Sequence, residues 1–287
     1  MGFRVLPYLS VLSVIVASCS SDESSSLPQQ PEIFLFEDGF ETENLMLDEL
    51  FPSDGSRWTN FQHTNPSSNI NEVSILNTPV SEGENSIRFF SYASDTQLSK
   101  IDIEKNGLQI AAGDRLRIEA DFFIVGTGSI ENLLILDVEC CSCWDPTVGD
   151  NLGAENQCPG VRLLMSGTND YLSIERGKIG GPTLQQTNFS FPRNQWVNVV
   201  WEMTLSDEDD GVNQLTIDGV EVINTTGMNL PNAEVFREIF AEQDIEFTLQ
   251  QPVFYERVQI GATANPTADN VELYVDDVSI QIEKVDL

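Results

Sequence analysis

The chain has 287 residues, with 46 Asp and Glu against 14 Lys and Arg and a single histidine, for a formal net charge of −32. A surface of that sign repels phosphates, which excludes nucleic acids and anionic membrane surfaces as partners, and one histidine, His63, excludes any centre that needs two. At 40% hydrophobic and 9% aromatic residues the composition supports a packed core and excludes general disorder.

In chain order, Arg4 precedes a largely apolar run from Val5 to Ala17, interrupted by Pro7. The run is too short to cross a bilayer and has the form of a signal-peptide core. It ends in Val16-Ala17-Ser18-Cys19, which resembles the lipobox of bacterial lipoproteins. The resemblance implies that residues 1–18 are removed and that Cys19 carries lipid, palmitate included, as a membrane anchor. Residues 19–31 are rich in Ser, Gln and Pro and read as a flexible tether. Asp22 and Glu23, just behind Cys19, are similar to the export signal of surface lipoproteins in Bacteroidota-type bacteria. That implies a lipid-anchored, surface-exposed position on the cell outer membrane.

Residues 32–287 hold neither an internal linker nor a repeat and predict one domain. Alternation at Arg115–Phe122 and Gln195–Met203 predicts half-buried strands, with Val197, Val199, Trp201 and Met203 on one face. The turn-rich stretch Ser206–Gly211 leads into a strand at Gln214–Ile217, and Asp218-Gly219 predicts a tight hairpin into Val220–Ile223. Helical spacing of Val235, Phe236, Ile239 and Phe240 predicts one helix within Asn232–Asp244. Many strands, Gly- and Asn-rich turns and little helix predict an all-β, two-sheet antiparallel sandwich.

Three stretches together resemble the concanavalin A-like lectin/glucanase superfamily, which includes laminin G-like domains and carbohydrate-binding jelly rolls. They are Leu35–Glu41 followed by Trp58; Trp196–Val199 through Asp218-Gly219; and Val258–Ala262 followed by Glu272–Ile280. The resemblance covers about residues 34–282. It implies a jelly-roll sandwich, first and last strands side by side, and a concave sheet that carries a glycan groove. It further implies a structural Ca²⁺ held by Glu37 and Asp276, with Asp38 and Asp277 as additional oxygen donors, against the plainer reading of solvated acids. The acidic run Asp207–Gly211 is no EF-hand, because Val212 and Asp218 stand where that loop needs Gly and Glu.

Laminarinase-type members carry paired carboxylates on one strand. Here Asp137 and Glu139 share a face, but Ile135 occupies the nucleophile position, so the stretch reads either as a divergent site or as a polar strand. A lyase needs a base and a charge neutraliser. His63 in a polar run is a candidate base or a plain surface histidine, and Tyr171, Arg162 and Arg176 would complete such a site.

Cys140, Cys141, Cys143 and Cys158 fall in one insertion and read as two disulfides, with a four-thiolate zinc site as the alternative. Adjacent Cys140 and Cys141 are less strained with separate partners. The stapled loop presents Trp144, Asp145 and Asp150, and Trp144 is a candidate for stacking on a sugar or for packing within the loop. Trp58, Trp196 and Trp201 read as structural. Between Pro159 and Trp201 the charge turns positive through Arg162, Arg176, Lys178 and Arg193 against Asp170 and Glu175. This island favours an anionic glycan only if it faces the groove, and otherwise a neutral one. The expected function is a surface lipoprotein that binds a polysaccharide through Trp144, Arg162, Tyr171, Arg176 and Lys178, together with partner proteins of a glycan-uptake complex. A lyase or glycoside hydrolase with divergent catalytic residues (His63, Asp137, Glu139), or an adhesion module, are the alternatives.

Overall fold

The computed structural model describes residues 31–287 except 67–68, 95–98, 129, 144–157, 168, 177–182, 242–248, 250, 266–268 and 286–287. Cys19, Trp144, Asp145, Asp150 and Lys178 lie outside the described residues. Alternating apolar and polar residues form strands nearly throughout. They are β1 (Ile33–Asp38), β2 (Asn60–Thr64), β3 (Glu72–Leu76), β4 (Ser86–Ser91), β5 (Ser99–Ile110) and β6 (Arg115–Ile124). There follow β7 (Leu133–Glu139), β8 (Gly160–Ser166), β9 (Tyr171–Arg176), β10 (Thr183–Ser190), β11 (Trp196–Thr204), β12 (Val212–Ile217) and β13 (Val220–Thr226). Helix α1 (Ala233–Ala241) precedes β14 (Tyr255–Asn265) and β15 (Val271–Glu283).

The strands form two antiparallel sheets. One runs β13-β12-β11-β6-β15-β4-β3 with β1 added beside β15, and the other runs β10-β9-β8-β7-β14-β5-β2. First and last strands are indeed neighbours, from Ile33 opposite Glu283 to Asp38 opposite Val278. The sheets face each other across an apolar core. Val197, Val199, Trp201 and Met203 of β11 are all buried on the face their spacing assigned. Trp58 is fully buried, edge-on to Phe36 at 5.1 Å and stacked on Phe40 at 6.0 Å. Each such side chain stabilises the fold by about 1.5–3 kcal/mol. Trp196 is half-buried on the outer face of the eight-stranded sheet, 5.7 Å from the Phe123 ring.

Local signals behave as their chemistry requires. Asp218 and Gly219 both take positive φ (47° and 75°), the geometry a two-residue hairpin needs. Asn232 caps α1, its side-chain oxygen accepting the amides of Glu234 (2.9 Å) and Val235 (3.2 Å). Among the described residues no helix is long and apolar enough to cross a membrane.

Candidate functional site

Side chains alternate along a strand, so the face of the seven-stranded sheet turned away from the core is fixed by its inward residues. On β5, Ile101 and Ile103 enter the core and Lys100, Asp102, Glu104 and Asn106 point outward. Pairing register carries that face across the sheet. Asn60 (β2) stands opposite Glu104, Glu104 opposite Gln259 (β14), Gln259 opposite Asp137 (β7), Asp137 opposite Arg162 (β8), and Arg162 opposite Glu175 (β9). This unbroken polar row crosses six strands and spans about 24 Å at normal strand spacing. One step along the strands, Asn106, Arg257 and Glu139 form a second row.

The centre of the face is buried and ionic. Glu104, 1% exposed, accepts hydrogen bonds from Gln62 (2.6 Å), Gln259 (2.7 Å), Asn60 (3.2 Å) and Asn106 (3.3 Å). Burial alone would raise its pKa, but the Arg257 guanidinium and the amides of Gln259, Gln62 and Asn60 outweigh burial and hold it below the usual value. Arg257 bridges Glu104 (3.4 Å) and Glu139 (3.1 Å), and Arg162 lies 3.3 Å from Asp137 and 3.9 Å from Glu139. Asp137, Glu139 and Arg162 are almost wholly shielded from solvent.

Asp102 differs from its neighbours. It is 1% exposed and neither carboxylate oxygen has a hydrogen-bond partner. The cross-strand positions explain this: Gly261 on β14 has no side chain to offer, and the Gln62 amide on β2 is turned to Glu104. Burial pushes the Asp102 carboxyl well up, with Lys100 opposing and Glu104, Asp137 and Glu139 adding to the rise.

The cysteines form two disulfides, Cys140–Cys143 and Cys141–Cys158, so the adjacent pair does take separate partners. The second bridge packs against this polar face: the Arg257 Nη2 lies 3.1 Å from the Cys158 sulfur and also contacts that of Cys141. On the same strand Glu256 accepts the backbone amides of Cys141 (2.7 Å) and Ser142 (2.8 Å). β14 therefore grips the stapled loop through two consecutive residues. Among the described residues the one His, Cys, Asp or Glu group close enough to share a metal is Glu139 with Cys141 and Cys158, and there the sulfurs are already bonded to each other.

Several expected site residues lie elsewhere. His63 is exposed, pairs with Ile101 and stacks on Phe61 at 5.7 Å, on the face of β2 opposite Gln62 and Asp102. It does not join Asp137 and Glu139. Arg176 pairs with Val161 and shares the inward face with Leu172 and Ile174, so it does not join Arg162. Arg193 ties a turn, bound to Asp170 at 3.2 Å and to the carbonyl of Val125 at 2.7 Å. The described members of the basic island, Arg162, Arg176 and Arg193, therefore do not gather on one face. Tyr171 does share the outer face, opposite Ser166, about 13 Å along the strands from Arg162.

Beside the end of β1, Glu37, Glu82, Glu119, Asp121 and Asp277 line an acidic depression on the eight-stranded sheet. These hard oxygens suit Ca²⁺ in kind. Asp276 does not line it: fully buried, it accepts the amides of Ser81 (2.9 Å), Glu82 (3.3 Å) and Asp277 (2.9 Å), and so fixes the backbone that presents Glu82 and Asp277. Asp38 is held by Arg57 at 2.5 Å. Burial first, and crowding by Glu82 and neighbouring acids, push Asp277 to about 6; burial likewise pushes Asp276 to about 6 against its three amide donors.

The fold and the outer polar face together define a two-sheet jelly-roll sandwich with a buried, charged row on the face of one sheet turned away from the core. No protein-family model matches the chain, and no curated protein matches it. Two solved structures share its architecture. An endo-β-1,4-glucuronan lyase from the fungus Trichoderma reesei superposes with a TM-score of 0.55 at 11% identity, covering 79% of this chain and 96% of its own. Cip1, a cellulose-induced protein, gives 0.51 at 16% identity, covering 85% and 96%.

Proposed function

We propose that the chain binds a polysaccharide across the outer face of the seven-stranded sheet, as a lipoprotein anchored through Cys19 on the outer membrane. The observation that carries this reading is the polar row from Asn60 to Glu175, long enough for several sugars in line. Its rim supplies what sugar hydroxyls require, amides that donate and accept (Asn60, Gln62, Asn106) and a partly exposed guanidinium (Arg257). Its centre is held rigid by the Glu104–Arg257–Glu139–Arg162 network, which fixes the rim before a ligand arrives. Asp137 and Glu139 serve in this reading as counter-ions of the arginines, since both are buried and ion-paired.

Calorimetry and gel retardation over a panel of polysaccharides test the reading. A double Asn60→Ala, Gln62→Ala variant is expected to weaken binding about tenfold; unchanged affinity would overturn it. A second reading, cleavage by elimination on a uronate polymer, is favoured by the architecture shared with the glucuronan lyase. Its signature is the appearance of unsaturated uronate ends, lost in Tyr171→Phe. Anchoring is checked by Cys19→Ala, expected to release the protein into the soluble fraction. A structural Ca²⁺ at the Glu37 depression predicts a higher Tm with calcium than with chelator, abolished by Glu37→Gln with Asp277→Asn.

A further inference from the structure

The middle of the polar row is buried, and it meets solvent at its β2 end, where Asn60 is exposed. Beside Asn60 an open hollow of about 490 Å³ lies between β2 and the 3-10 turn Leu47–Leu50, a volume in the range of small-ligand sites. Leu47, Phe51 and Phe61 give it an apolar wall, and Asp48, Thr59 and Asn60 complete the lining. Phe61 is 38% exposed, yet its ring is held in place by Phe51 at 5.8 Å and His63 at 5.7 Å. Fixed aromatic surface left in water is favourable to cover, and its position is set before any ligand arrives.

The polar lining narrows what can cover it. The Thr59 hydroxyl is committed, donating to the Glu104 carbonyl (2.8 Å) and accepting the Asn106 amide (2.9 Å). The Asn60 side chain spends one N–H on Glu104 (3.2 Å) and has a second to offer. The exposed Asp48 carboxylate only accepts, and none of the six lining residues is basic. The hollow thus asks for a small apolar group, an N–H for Asp48 and an oxygen for Asn60, and it repels a carboxylate. We infer that the glycan of the binding reading above carries 2-acetamido sugars, one acetamido group filling this hollow. Its methyl lies on Phe51 and Phe61, its N–H donates to Asp48 and its carbonyl accepts from Asn60. A free ammonium answers Asp48 but leaves the apolar wall uncovered, and a plain hydroxyl leaves it uncovered too. The rest of the chain passes Asn106 into a neighbouring hollow that Asn106 shares with Phe254 and Arg257.

Calorimetry on the full chain with β-1,4-linked trimers of N-acetylglucosamine, glucosamine, glucose and glucuronate tests this. The acetylated trimer is expected to bind about tenfold more tightly than each of the others. Phe61→Ala is expected to weaken it about tenfold, and Asp48→Ala to bring it within about twofold of the glucose trimer. Equal or tighter binding of any other trimer, or a preference that survives both substitutions, overturns the inference but leaves the glycan-binding reading standing. Failure of every trimer to bind overturns both. Saturation-transfer NMR on the unaltered protein decides the matter even if a variant does not fold. The acetyl methyl is expected to receive the strongest transfer of all ligand protons, and a methyl weaker than the ring protons overturns the assignment.

Discussion

A single arginine carries much of the ionic network on the polar face. Arg257 is the counter-ion of two buried carboxylates, Glu104 and Glu139, and rests on the Cys141–Cys158 sulfurs. Truncating it would leave both acids buried with less compensation. Arg257→Ala is expected to cost about 3–5 kcal/mol, measured by urea unfolding; a loss below about 1 kcal/mol would show that water replaces the guanidinium there. Side-chain direction is also where sequence reading stopped short. Gln62 and His63, or Glu175 and Arg176, are chain neighbours on opposite faces, and alternation alone does not say which of each pair faces the groove. His63 and Arg176 drew attention by residue type, while Gln62 and Glu175 hold the groove positions.

At the scale of elements, individual strands and turns were legible and their assembly was not. The inward face of β11, the Asp218-Gly219 hairpin and the Asn232 cap all follow from local chemistry. The polar row could not be read in the same way, because it gathers residues from Asn60 to Gln259 through pairings between strands distant in sequence. The available clue was alternation of another kind, Lys100-Ile101-Asp102-Ile103-Glu104 and Arg257-Val258-Gln259-Ile260, in which charged and amide residues recur on the face that does not enter the core. The stapled loop is an element with its own consequence. Replacing Cys141 and Cys158 together by Ser opens a link between residues 17 apart and is expected to cost about 3 kcal/mol, read as a lower Tm. Glycan affinity should fall in the same variant, because Arg257 loses the surface it rests on. Affinity unchanged at full folding would separate the loop from the groove.

For the whole molecule the governing quantity is pH. Asp276 and Asp277 titrate near 6 in the folded state against 3.8 in the reference chain, and Asp102 is raised in the same sense. The folded form thus binds those protons more tightly than the unfolded chain. Their burden on stability is present above the folded value and is relieved as pH falls through it toward 3.8. Glu104 works in the opposite sense, since its lowered pKa supports the fold above its reference value of 4.5 and that support fades on further acidification. Tm should therefore rise as pH is lowered from about 7 toward about 5 and then fall. A steady decline across that interval in a buffer series would contradict these assignments. The net charge of −32 adds repulsion of the same sign, which salt should soften.

The adjacency of β1 and β15 bears on force. Residue 31 leads straight into Ile33, whose partner is Glu283, and the amide of Lys284 reaches the carbonyl of Glu32 at 2.9 Å. A pull on the chain at its entry point, along β1, loads all six paired positions from Ile33 to Asp38 together rather than peeling them one at a time. Under such a load β1 is thus a mechanical clasp. It lies in the eight-stranded sheet, whereas the polar row belongs to the other, so tension on the entry point meets the clasp before it meets that row.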